Sequence, residues 1–132
     1  MSTRLAPTVA HDTEFFWNGV RDHKLLIQRC AQCGTLRHPP RPMCAQCRSV
    51  EWDTVEATGR GEVFSFVMPH HPPFPWFEYP YIVALIELEE GTRFVSNLVG
   101  CTPDEVEIGM PVQLEFEHHD DDVVLPVFRL VR

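Results

Sequence analysis

The sequence predicts a mainly β chain of 132 residues in which a short N-terminal helix, a metal-stapled ribbon and a five-stranded barrel follow one another. Three observations carry that reading. Four of the five cysteines fall into two matched pairs, Cys30-Ala-Gln-Cys33 and Cys44-Ala-Gln-Cys47, with ten residues between the inner members. After Gly61 the chain breaks into short stretches that alternate apolar and polar side chains, the period of two that a strand requires. A helix-start signal lies between the third and fourth of these stretches, the order of an OB-fold barrel; an SH3-like barrel is the main rival and lacks that helix.

Residues 1–11 read as a flexible tail. Asp12 or Thr13 can cap a helix running to about Arg21, with Glu14 near its positive end and Phe16 and Val20 four apart on one face. Gly19 weakens such a helix. Leu25 to Arg29 then forms a strand leading into the first cysteine pair, and the ribbon extends to about Val50. The expected division is therefore a tail at 1–11, helix plus ribbon at 12–50, and the barrel at 51–132.

Two Cys-x-x-Cys knuckles can set four thiolates at the corners of a tetrahedron, the geometry of a closed structural zinc site. Gly34 follows the first knuckle, where positive φ turns backbone N–H groups toward the sulfurs. Arg48 stands at the matching place in the second, and a cation beside a dianionic four-thiolate centre is electrostatically favourable. A disulfide framework would call for an export signal, and Met1 to His11 contains no apolar run. A redox dithiol would use one Cys-x-x-Cys ahead of a helix, whereas here there are two. The cysteines thus predict a rubredoxin-like zinc ribbon with Cys30, Cys33, Cys44 and Cys47 as ligands, iron being the other chemically admissible metal. Cys101, in Leu98-Val99-Gly100-Cys101, reads as a small buried hydrophobe.

The barrel strands are expected at Gly61–Met68, Tyr81–Glu89, Arg93–Val99, Pro111–His118 and Val123–Val131. Glu90-Gly91-Thr92 makes the hairpin turn between the second and third. Thr102-Pro103-Asp104-Glu105, followed by Gly109, is a capping box that predicts one or two helical turns. Asp120 to Asp122 forms a polar turn, and Pro126 argues for an edge or a bulge in the last strand. Between the first and second strands, Pro69 to Pro80 holds five prolines and four aromatics. Those rings must pack on something, either an open end of the barrel or a partner or ligand, and an OB-fold commonly uses this loop for recognition. His70 and His71 have no third ligand in register.

Charge and composition narrow the function. The formal net charge is −8, yet Arg29 to Arg48 carries four arginines and no acid. A grip on a nucleic-acid backbone needs a basic face, so this patch suits a phosphorylated small molecule or an acidic protein partner better, unless it merely balances the zinc–thiolate charge. No stretch is long and apolar enough to span a membrane, and thiols reserved for metal fit a reducing compartment, so a cytoplasmic protein is expected. No Gly-x-Ser-x-Gly, Gly-x-Gly-x-x-Gly or Walker-type loop occurs, and four thiolates leave a metal no open position. An independent enzyme is not expected.

Phe16-Trp17-Asn18-Gly19, then a Cys-x-x-Cys-Gly ribbon, then a five-stranded barrel resembles the zinc-ribbon plus OB-fold family of acyl-CoA-associated proteins over residues 12–132. The resemblance implies a non-catalytic accessory subunit that binds a thiolase-superfamily enzyme, a thiolase or retro-aldolase, in lipid or steroid side-chain degradation. Relatives are also joined to MaoC-like enoyl-CoA hydratases. With no hydratase attached here, the enzyme served is expected to be a separate polypeptide. It further implies structural zinc on the four cysteines and a coenzyme A thioester shared with the partner. Arg37, Arg41, Phe74, Trp76 and Phe77 are the candidate contacts. The alternative is a nucleic-acid-binding module, against which the net charge speaks.

Overall fold

The computed structural model describes residues 4–71, 74–75, 81–119 and 122–131. In chain order it contains α1 (Glu14–Arg21), β1 (Leu26–Cys30), β2 (Leu36–Arg37), β3 (Trp52–Glu56), β4 (Arg60–Val67), β5 (Ile82–Leu88), β6 (Arg93–Val99), a 3₁₀ turn (Pro103–Glu105), β7 (Pro111–His118) and β8 (Val124–Leu130). Strands β2-β1-β3 form a small antiparallel sheet, and β4-β5-β6-β8-β7 close into a barrel. Closure requires β6 and β8 to run parallel, which they do through Leu98–Phe128 and Val99–Arg129. The five barrel strands and the intervening helical turn are those the alternation and the capping box predict, and the mainly β, OB-like architecture holds.

Helix α1 stands for packing reasons more than for capping. Thr13 occupies the N-cap position, but its side chain makes no capping bond and instead pairs with the backbone of Ala10. Phe16 and Val20 are buried on the barrel side, each burial contributing about 1.5–3 kcal/mol. Gly19, which weakens the helix in isolation, is needed here: a Cβ would lie 2.8 Å from Leu26 Cδ1 and 3.2 Å from the Lys24 carbonyl. The helix therefore approaches β1 as closely as only glycine permits. Phe16 stacks on Phe94 at 5.9 Å and Phe94 meets Phe128 at 6.1 Å, so ribbon, helix and barrel share one core.

Three features differ from the sequence expectation or refine it. Strand β3 belongs to the ribbon sheet, pairing Leu26–Cys30 with Trp52–Glu56, where no element was expected. Its pattern of exposed and half-buried positions carries no period of two, so alternation could not reveal it. Pro126 lies inside β8, between two strands of the barrel, with neither an edge nor a bulge in the β7 pairing. The β6 ladder reaches only Phe128 and Arg129, and Ser96 Oγ donates to the Pro126 carbonyl at 2.8 Å, so the missing N–H is not required. The described part of the expected tail lies on the molecule: Arg4 donates to Asn97 at 3.2 Å, and Ala6, Pro7 and Val9 face Trp17 across a small cavity.

Candidate metal centre and the cleft beside it

The two knuckles have the same backbone wiring. In the first, Gly34 N–H donates to the Cys30 carbonyl and Cys30 N–H to the Thr35 carbonyl, both at 2.9 Å. In the second, Arg48 donates to Cys44 and Cys44 to Ser49 at the same distances. Gly34 has φ +78° and Arg48 φ +65°, so the arginine adopts the left-handed turn that glycine serves in its twin. Both turns converge on one point. Cys30 Sγ lies 3.5 Å from Cys47 Sγ, Cys33 Sγ 3.6 Å from Cys44 Sγ, and all four sulfurs fall within 4.8 Å of one another.

That spacing fits zinc. A tetrahedron with zinc–sulfur bonds of about 2.3 Å has sulfur–sulfur edges of about 3.8 Å. Cys30 and Cys44 are buried and Cys33 and Cys47 exposed, so the centre sits at the surface of the ribbon with one side covered. The donor set is also prepared electrostatically. The Thr35 hydroxyl and backbone N–H hold the Cys33 thiol down at about 6. Cys47 receives the lowering bond of the Ser49 N–H, but the Cys30, Cys33 and Cys44 sulfurs and burial push it up to about 12. Four sulfurs this close cannot all ionise without a cation between them, and a divalent metal relieves that repulsion. Four thiolates fill the coordination sphere, so the chemistry such a zinc supplies is structural.

Beside the centre, β2 leads into a loop that folds back on Gln28, a polar residue buried at 2% exposure. Gln28 Oε1 accepts from Arg37 Nε at 3.0 Å and from the Arg41 backbone N–H at 2.9 Å, while Arg37 Nε also donates to the Arg41 carbonyl at 3.0 Å. Arg37 and Arg41 thereby meet at one cleft of about 430 Å³, closed on its far side by the β5–β6 hairpin with Thr92 and Arg93. Nothing in the sequence marked Gln28 or Arg93 as part of this arrangement, because the contacts join segments far apart in the chain. His38, next to Arg37, also lines this cleft and packs 4.7 Å from the Phe94 ring.

Of the remaining sequence-predicted contacts, the structure describes Phe74 alone. Phe74 is exposed at 42% and does not line this cleft, and Trp76 and Phe77 lie outside the described residues, as do Asp120 and Asp121 of the expected turn. Cys101 packs half-buried against the core, close to the expectation of a small hydrophobe. Among the described residues the four cysteines are the one group of three or more potential ligands within metal-binding distance, and no helix is long and apolar enough to cross a membrane.

Comparison with known proteins agrees with this geometry. Residues 17–53 match the family model of the ChsH2 rubredoxin-like zinc ribbon domain, and residues 54–117 that of the ChsH2 C-terminal OB-fold domain. A probable enoyl-CoA hydratase alpha subunit of Thermomonospora curvata is 55% identical over 96% of this chain. A 3-oxo-4,17-pregnadiene-20-carboxyl-CoA hydratase alpha subunit of Mycobacterium tuberculosis is 48% identical over 85% of it. The matched regions make up 40% and 36% of those two relatives, so this chain corresponds to well under half of each. Among solved structures, a chain of an Ltp2-ChsH2(DUF35) aldolase superimposes with a TM-score of 0.90 at 55% identity, over 94% of this chain and 98% of that one.

Proposed function

Since this chain belongs to the ChsH2 family of zinc-ribbon and OB-fold proteins, we propose that it is a non-catalytic accessory subunit of a thiolase-superfamily enzyme acting on an acyl-CoA. The observation that supports this most is the near-complete likeness to one chain of an aldolase named for two components. The reaction served is a retro-aldol or thiolytic cleavage, and the pregnadiene carboxyl-CoA in one relative's name favours a steroid side-chain substrate. Relatives named as hydratase alpha subunits support a MaoC-like hydratase as a further member of the assembly. The work takes place in the cytoplasm, where thiolates remain reduced and available to zinc.

Within this reading each part of the chain has a task. Zinc holds the ribbon and leaves no coordination site for substrate. Arg37 and Arg41 at the cleft, and Phe74, Trp76 and Phe77 in the proline-stiffened loop, supply the contacts with the partner or with the coenzyme A thioester it holds. A loop with so many prolines loses little chain entropy on docking, and its rings offer large contact areas.

Co-expression with the thiolase-like protein of the same organism tests the assignment. A complex stable in gel filtration is expected, with cleavage activity present only when both chains are, and Trp76→Ala is expected to weaken assembly by about 2 kcal/mol. A partner enzyme that is soluble and fully active alone, with no complex surviving gel filtration, overturns the proposal.

A further inference from the structure

Strand β5 is apolar on both faces over its first half. Ile82, Ala84 and Ile86 point into the barrel and are buried, while Val83 and Leu85 between them point out and are half-buried. An antiparallel strand whose outer face meets water alternates apolar and polar positions, so apolar residues on both faces mark a surface that another molecule covers. The neighbouring strands extend this surface. Pairing sets Ser65 and Val95 on either side of Leu85, and Val67 and Asn97 on either side of Val83. Val67 is 61% and Val95 64% exposed, and none of these six outward positions carries a charge.

At one side the face runs into a cavity, and at one end it turns acidic. Val95 and Asn97 also line a cavity of about 280 Å³ whose walls include Phe16, Trp17, Phe94 and Pro126. The polar groups there are engaged within the chain: Ser96 Oγ donates to the Pro126 carbonyl at 2.8 Å, Asn97 Nδ2 to the Ile82 carbonyl at 3.0 Å, and Arg4 to Asn97 Oδ1 at 3.2 Å. The cavity therefore suits an apolar side chain. At the end of the face Glu62 and Glu87 stand directly opposite each other on β4 and β5, where like charges repel. Arg93, opposite Glu87 on β6, is drawn 3.8 Å over the Phe64 ring and forms no ion pair with either carboxylate among the described residues. We infer that the outer face of β4, β5 and β6 is where the chain docks on its thiolase-like partner, which places one large apolar side chain in the cavity and a lysine or arginine against Glu62 and Glu87. The inference rests on the accessory-subunit reading above for the identity of that partner. A second copy of this chain fits less well, because each copy carries a formal charge of −8 and two such faces repel. A cation from a different protein relieves the repulsion between the two glutamates and fixes the orientation of docking.

Variants of the face, measured in the complex with the thiolase-like protein, decide it. Val95→Glu and Val67→Glu place a charge where the apolar contact forms, and each is expected to weaken association at least about tenfold. Glu87→Lys is expected to weaken it too, and Glu62→Gln to flatten its dependence on salt. Val50→Glu, the same exchange at a ribbon residue 61% exposed, is expected to leave binding unchanged; an equal loss there would show a general charge effect and overturn the inference. The isolated variants are expected to keep the wild-type Tm, since both valines are exposed. A marked fall in Tm for isolated Val95→Glu would mean that the chain covers this face itself. A wild-type dimer that Val95→Glu dissolves would assign the face to a second copy. Either result overturns the inference. Wild-type affinity in both valine variants also overturns it and leaves the subunit reading standing, whereas a wild type that binds no such enzyme brings down both.

Discussion

His38 shows how a residue with no visible motif can govern behaviour. Its ring packs 5.5 Å from Phe16 and 4.7 Å from Phe94, and burial pushes its pKa down to about 4. The unfolded chain binds the proton near pH 6.5 while the folded one refuses it until about 4. Stability from this group is therefore fully present above about pH 6.5 and lost as pH falls toward 4, by at most about 3 kcal/mol. His38→Phe is expected to lose less Tm than wild type between pH 7 and 4.5, measured by circular dichroism with bound zinc checked in parallel. Equal losses would show that His38 does not contribute. At the same scale the cysteines were fully legible, since ligand type and spacing are local properties. Arg48 was legible only as a departure from glycine; the structure shows it tolerating the same left-handed turn.

Among the elements, those with one wet and one dry face could be read from alternation, as in β7, where Val112 is buried and Gln113 exposed. Strand β3 could not, because it is held mainly by its ladder to β1, where Arg29 and Asp53 face each other and pair at 2.7 Å. That pair is open to solvent, which limits its worth. Helix α1 illustrates two effects of opposite sign. Gly19→Ala improves helix propensity by about 1 kcal/mol, but the new Cβ meets Leu26 at 2.8 Å and must displace the helix or the side chain. Overpacking of this kind costs about 1–3 kcal/mol, so a net loss is expected and a fall in Tm checks it. A rise in Tm would mean that Leu26 moves freely and that the close approach is incidental. The capping box at Thr102 is present as expected, with Thr102 N–H donating to Glu105 at 2.8 Å, although it supports only a short 3₁₀ turn.

At the scale of the molecule, ribbon and barrel share Phe16, Val20, Ile27, Phe94 and Phe128 in one core. Loss of zinc is therefore expected to destabilise the whole chain, since metal binding contributes to ribbon folding and the ribbon covers barrel residues. Cys33→Ser, or prolonged treatment with a chelator, is expected to lower the single melting transition by 10 °C or more, roughly the effect of 2 kcal/mol on a domain of this size. A barrel transition unchanged after metal removal would show two independent units. The net charge sets a second expectation: titration with single-stranded DNA at low salt gives no micromolar binding, because the cationic segment Arg29 to Arg48 is small against eight surplus negative charges. Micromolar binding that weakens steeply with salt would restore the nucleic-acid alternative.

Linear pattern was enough for the four-cysteine centre, the helix that precedes it, the order of the barrel strands and the turn between β6 and β7. Each depends on residue type at short spacing, which a linear reading preserves. Three-dimensional packing was needed to see that β3 completes the ribbon sheet, that Gly19 is required by contact with β1, and that Arg37 and Thr92 line one cleft. The physical cause is shared: these features arise from close approach of segments distant in the chain, which local pattern does not encode.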